Sequence, residues 1–187
     1  MRSFDTNSSP KLVHEALKCS KVNLARIILN KPGASSILAT YTDPRTLKTT
    51  LHYCASVGAV DLIDRCLEMG SNPKFGYVKP IHYAVIAGHL EATRRLFDFD
   101  QNFFVSTAYA SSPLECAVYY EKSEIVEFFL SNPDITLIGN PLMSKKFADF
   151  VLNAGNSRMA KVLFESGKLE LSDRISNSLY LLSLKTE

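Results

Sequence analysis

No stretch of about 18 or more consecutive apolar residues occurs in the 187 positions, so no membrane insertion is expected. The opening MRSFDTNSSP holds one base with no apolar run behind it, and so does not read as a secretory signal. Excess charge is lacking too. A formal net charge of +2 gives no electrostatic reason to expect nucleic acid or an anionic membrane as partner. The basic pairs Arg94-Arg95 and Lys145-Lys146 stand alone, without the dense basic face that nucleic-acid recognition needs. Neither GxGxxG nor GxxxxGK[ST] occurs, so no phosphate-cradling loop and no cofactor is expected. Cysteine is sparse: Cys19, Cys54, Cys66 and Cys116 form no CxxC and no disulfide framework. Reduced thiols in a cytoplasmic setting are the expectation.

What is present is repetition. Hydrophobic residues make up 46% and charged residues 21%, which suits one globular domain or a short repeat array. The run from Thr49, TTLHYCASVGAVDLIDRCL, recurs from Lys79 as KPIHYAVIAGHLEATRRLF. It recurs again from Ser112 as SPLECAVYYEKSEIVEFFL and from Lys146 as KFADFVLNAGNSRMAKVLF, and it is preceded from Lys11 by KLVHEALKCSKVNLARIIL. The fourth position is therefore His14, His52, His82, Glu115 and Asp149, in steps of 38, 30, 33 and 34 residues. A period near 33 marks a repeat architecture.

Each unit has a physical reading. A short first helix starts at its second residue, with Pro80 and Pro113 where a helix tolerates a missing N–H. Small or apolar pairs such as Cys54 and Ala55, or Ala84 and Val85, fill its core face. Gly58, Gly88 and Gly155 end it through easy access to positive φ. A second helix follows with apolar residues at helical spacing, as in Val60, Leu62, Ile63, Cys66 and Leu67. One helix pair cannot bury its apolar face alone, so neighbours must stack.

TTLHYCASVG and KPIHYAVIAGH resemble the ankyrin repeat, whose unit carries T-P-L-H-x-A, a glycine and a second helix. The resemblance implies an all-α ankyrin-repeat solenoid of stacked antiparallel helix pairs with hairpin-like loops projecting to one side. It covers residues 11 to 167 in one domain spanning 1–187. The repeats are expected at about 11–33, 45–74, 75–107, 108–141 and 142–168, with a capping helix at about 172–184. Ser9-Pro10 reads as the first helix start, and Lys11, Glu15 and Lys18 as a polar outer cap. In the family, the threonine and histidine stiffen the turn through hydrogen bonds. Glu115 and Asp149 replace that histidine and Glu121 replaces a glycine, so the C-terminal half is expected to be less regular. The stretch NKPGASSILATYTDPRTLK is a long insertion ending in the turn-forming Asp43-Pro44.

The repeat absorbs the chemical candidates. His52 with Cys54 or Cys66 suggests a nucleophile pair, but the period explains the histidine as a turn residue and both cysteines as core. His82 and His89 are seven apart with a glycine between, a spacing that does not return to one helix face, so no metal site is expected. Asp61 with Asp64, and Glu124 with Glu127, fit the solvated side of second helices. No block is left for a catalytic domain, and the chain is read as a non-enzyme with no catalytic residues.

The resemblance implies docking of a protein partner on the concave side, made of hairpin tips and the exposed face of each first helix. Carried over position by position, that surface includes Arg45, Lys48, Ser56, Phe75, Tyr77, Val78, Ile86, Tyr109, Ser111, Tyr119, Tyr120 and Met143. Its middle is rich in aromatics, the residue class that anchors interfaces. Phe75, Tyr77, Ile86, Tyr109, Tyr119 and Tyr120 are expected to form one patch. The chain is expected to act as a monomeric protein-binding module. Divergent stand-alone arrays of this kind resemble pathogen effectors and host-mimicking binders, which would act in a host cytoplasm. The alternative is an adaptor or targeting subunit, which needs a second docking element in the insertion Lys31 to Lys48 or in the segment after Ser172.

Overall fold

The computed structural model describes residues 8–99, 111–135 and 140–186. These fall into two compact units, the first holding the described residues up to 99 and the second those from 111 onward. Among them the regular structure is helical, with one isolated bridge between Thr42 and Thr49.

The first unit contains α1 (Ser8–Lys18), α2 (Val22–Leu29), α3 (Ile37–Thr40), α4 (Thr50–Ser56), α5 (Val60–Glu68), α6 (Pro80–Ala87) and α7 (Leu90–Phe97). α1 packs on α2, α4 on α5 and α6 on α7; across pairs, α4 touches α1 and α6, while α5 touches α2 and α7. Leu51, Cys54, Ala55, Leu62, Ile63, Cys66, Ala84 and Val85 are fully buried there. Each large apolar side chain among them contributes about 1.5–3 kcal/mol through burial that no single pair could supply.

The second unit contains α8 (Pro113–Tyr119), α9 (Ser123–Ser131), α10 (Pro141–Ala154), α11 (Ser157–Glu165) and α12 (Asp173–Ser183), then a 3-10 turn at Leu184–Thr186. α8 meets α9 and α10, α11 meets α9 and α10, and α12 lies on α10 and α11. Phe129, Ile125, Phe147, Val151, Met159 and Leu179 fill its core.

One turn recurs between the helices of every pair. Ser20, Gly58, Gly88, Glu121 and Gly155 all have positive φ, at 56°, 68°, 82°, 54° and 67°. In each turn that residue's N–H donates three residues back and the next N–H donates five residues back, as in Gly58 to Ala55 and Ala59 to Cys54. These are the two bonds of a Schellman turn, which satisfies carbonyls left over at a helix end. Ser20 and Glu121 keep the left-handed conformation where glycine is absent, at a steric cost of about 1–2 kcal/mol each.

Three local expectations change. α1 begins at Ser8, before the expected Ser9-Pro10 start, with Pro10 still in the first turn where proline is tolerated. The insertion is not all loop: α3 packs on α1, α4 and α5, burying Leu38 and Ala39. Thr50 Oγ1 donates to the Leu38 carbonyl at 2.5 Å and Ser71 Oγ to the Ala39 carbonyl at 2.8 Å. Finally, the first helix of the unit from Lys146, expected to start at its second residue, begins at Pro141, so Met143 lies within α10. Asn140 caps that helix early, its side chain accepting the Met143 N–H at 3.1 Å, and Pro141 occupies the first turn.

Candidate protein-interaction face

The turns before α4 and α8 are built by the fourth residue of the unit, His52 and Glu115. The Thr49 N–H donates to His52 Nδ1 at 3.0 Å, and the Thr49 hydroxyl lies 2.8 Å from the same nitrogen. Because Nδ1 accepts, Nε2 carries the proton and donates to the Val78 carbonyl at 3.1 Å. His52 thus stiffens its own turn and holds the loop of the next unit. His14 makes a different bond, from Nε2 to Thr50 Oγ1 at 2.9 Å, and its ring centroid lies 5.2 Å from that of Tyr41 and 4.7 Å from that of Tyr53. Burial lowers the pKa of both histidines from 6.5 to about 4, so they are neutral at pH 7.

In the second unit Glu115 takes over both tasks of the histidine. Its Oε2 accepts the Ser112 N–H at 2.7 Å, while Ser112 Oγ accepts the Glu115 N–H at 3.2 Å, closing a capping box. Its Oε1 accepts from Lys146 Nζ of the following pair at 2.8 Å. Burial alone would raise the carboxyl pKa, but the Lys146 and Ser112 bonds outweigh it and hold the group below the usual carboxylate range. The expected loosening at this position is therefore not observed.

A cationic and aromatic row lies along these turns in the first unit, with Tyr53 buried, Tyr83 and Lys48 half-buried and Lys18 exposed. Lys18 Nζ sits 5.3 Å from the Tyr53 ring centroid; Lys48 Nζ sits 5.8 Å from Tyr53 and 4.3 Å from Tyr83. Asp43 adds structure at one end. Its carboxylate accepts the Arg45 N–H at 2.9 Å and the Tyr53 hydroxyl at 3.4 Å. Lys11, Lys18, Arg45 and Tyr41 help line a hollow of about 270 Å³ there. Tyr53 and Tyr83 were not among the sequence candidates, although both follow the repeat histidine directly.

The candidates divide between the units. Tyr77 is 73% exposed, Phe75 and Val78 are just exposed, and Arg45 is exposed. Lys48, Ser56 and Ile86 are half-buried. Phe75 also packs edge-on against His52, with centroids 6.3 Å apart, so its ring is partly structural. In the second unit Tyr119 is 65% exposed, stacks edge-on with Tyr120 at 5.1 Å and lies 5.5 Å from Phe150. Ser111 is exposed and Met143 half-buried. Tyr109 lies outside the described residues.

The alternative chemistry meets specific obstacles. Both His52 nitrogens are committed to Thr49 and Val78, so neither serves Cys54 as a base. The Cys54 thiol lies 3.9 Å from Cys66 Sγ, and that contact, with full burial, pushes its pKa well up, away from a reactive thiolate. Asp61 and Asp64 tie helix pairs together rather than face water alone: Arg26 holds Asp61 at 2.6 and 3.1 Å, and Arg95 binds Asp64. Among the described residues, no three His, Cys, Asp or Glu side chains gather as a metal site, and no helix is long and apolar enough to cross a membrane.

The family model for ankyrin repeats matches residues 51–138 in three copies. Residues 51–138 of this chain are ankyrin repeats. Such repeats are interaction modules without chemistry of their own. Over 85 residues the chain is 32% identical to the tyrosine-protein kinase HTK16 of Hydra vulgaris, a match covering 46% of this chain and 10% of that protein. So small a share carries no kinase activity over to this chain. The matched residues begin just after Thr49, include His52 and extend through α8 and α9.

Proposed function

We propose that the chain is a non-enzymatic, monomeric protein-binding module that docks its partner on the face formed by the loop tips and the first helices. The observation that carries this reading is the half-buried Tyr83 under Lys48, supported by the buried Tyr53 beneath Lys18 and Lys48, together with the exposed Tyr77 of the preceding loop. Aromatics braced by cations lose little freedom on docking, and rings of this kind anchor interfaces at about 2 kcal/mol or more each. Arg45 extends the surface, and Ser56, Phe75, Val78 and Ile86 complete it. In the second unit Ser111, Tyr119, Tyr120 and Met143 supply the corresponding positions. The basic character of the row suits a partner carrying carboxylates.

The same reading takes the repeats as five, at about 11–33, 45–74, 75–107, 108–141 and 142–168, with α12 as the cap. The recurring Schellman turn at Ser20, Gly58, Gly88, Glu121 and Gly155 supports that count. Free thiols at all four cysteines support a reducing, cytoplasmic location, in a host cell if the chain is an effector. Whether it sequesters its partner or carries it to an enzyme as an adaptor turns on a second docking surface.

Hydrogen–deuterium exchange of the chain with its captured partner tests the face. Protection is expected over residues 41–48 and 75–83. Protection confined to the second helices α5 and α7 would overturn the assignment.

A further inference from the structure

Lys11, His14, Glu15 and Lys18 stand at i, i+3, i+4 and i+7 of α1 and so share one face. Expected as an outer cap, Lys11, Glu15 and Lys18 instead border the turn that leads into α4. With Tyr41, Asp43 and Arg45 of that turn they line the hollow of about 270 Å³. α1 packs on α4, and Lys18 reaches Asp43 at 3.6 Å. The hollow therefore lies between two neighbouring helix pairs, not on an outer face of the array.

The charges around it are unevenly paired. Both acids are engaged: Lys18 lies 2.8 Å from Glu15, and Asp43 accepts the Arg45 N–H and the Tyr53 hydroxyl besides meeting Lys18. His14 adds no charge at pH 7. Lys11 and Arg45 are exposed, and among the described residues neither side chain pairs with a carboxylate. Lys48, three residues beyond Arg45, lies over Tyr83 and likewise pairs with none.

We infer, resting on the docking face proposed above, that this hollow receives a carboxylate side chain from an acidic segment of the protein partner, with Arg45 and Lys11 as its anchors. An arginine fork takes a carboxylate through two parallel N–H donors, and Lys11 adds a point charge from the α1 wall. The wall also selects a carboxylate over a phosphate. Glu15 and Asp43 repel a dianion more strongly than a single charge. Half-buried Tyr41 offers an apolar surface for the stem of the incoming side chain. Lys48 suits a further acid of the same segment.

The test uses the full chain and three fluorescein-labelled peptides of one sequence, carrying Glu, Gln or phosphoserine at every third position. Fluorescence anisotropy would compare wild type with Lys11→Glu/Arg45→Glu and with Lys21→Glu/Lys161→Glu, two variants of equal net charge, each checked for helical circular dichroism. Wild type is expected to bind the Glu peptide about tenfold more tightly than the Gln peptide, and more tightly than the phosphoserine peptide. The first variant should weaken the Glu peptide about tenfold, and the second by less than about twofold. In proton–nitrogen correlation spectra of wild type, the Arg45 Nε–H signal should shift as the Glu peptide is added. No binding up to about 1 mM, equal weakening in both variants, or preference for the phosphoserine peptide would overturn the proposal. The spectra separate its failure from that of the docking face. Shifts over residues 75–83 with Arg45 unmoved would overturn the hollow alone, whereas shifts confined to α5 and α7 would overturn the face as well.

Discussion

Lys146 Nζ donates to Glu115 Oε1 at 2.8 Å while Glu115 Oε2 accepts the Ser112 N–H at 2.7 Å, so one buried carboxylate joins the start of α8 to α10. Removing it leaves the Ser112 N–H without its acceptor. Glu115→Ala is expected to cost about 1–3 kcal/mol in urea unfolding followed by circular dichroism. Lys146→Met removes only the mostly exposed partner and should cost less than about 1 kcal/mol. Equal costs would show that the pair acts through the ion pair rather than through the cap.

Ser20 holds a positive φ of 56° in the turn that glycine occupies in three other units. Ser20→Gly should relieve the strain, offset in part by the greater freedom of glycine in the unfolded chain. A net gain of about 0.5–1 kcal/mol is expected in the same unfolding assay.

Gly58 and Gly155 share the conformation but not the surroundings. A methyl at Gly58 would come within 2.6 Å of the His89 ring, while one at Gly155 would meet nothing within 4 Å. Gly155→Ala should therefore cost about 1 kcal/mol, the price of the backbone alone, and Gly58→Ala clearly more. Adding His89→Ala to Gly58→Ala should recover the difference.

The buried histidines make the fold acid-sensitive. His14 and His52 titrate near 4 when folded and near 6.5 when unfolded, so between these values the unfolded chain binds more protons. Their stabilising contribution is complete above pH 6.5 and lost as pH falls to about 4, on the order of 1–3 kcal/mol for each. Below the ordinary glutamate value, Glu115 adds a loss of the same sign. Thermal melts from pH 7.5 to 4 should show a falling midpoint, with a shallower fall in His14→Gln/His52→Gln.

The helix pairs were legible because their signals are local. Alternating small and apolar positions, the repeat glycines and the histidine at the fourth position all sit within one unit. What escaped the sequence depends on partners far along the chain. Nothing near Glu115 announces that Lys146, 31 residues on, would complete the histidine's role. α3 was hidden because its carbonyls are held by Thr50 and Ser71, residues of a different repeat. At the face, Tyr77 and Tyr119 could be placed by counting from the repeat histidine. Tyr53 and Tyr83 could have been found the same way. Their bracing by Lys18 and Lys48 was not visible, because the insertion returns Lys48 to the first helices.

The central claim is that binding resides on the loop-tip and first-helix face. Affinity capture from a cell lysate tests it most directly, with wild type as bait beside a folded Tyr77→Ala/Tyr83→Ala/Tyr119→Ala variant. A protein retained by wild type and lost, or reduced about tenfold or more, with the variant is the predicted result. Equal recovery of the same protein by both baits would contradict the account.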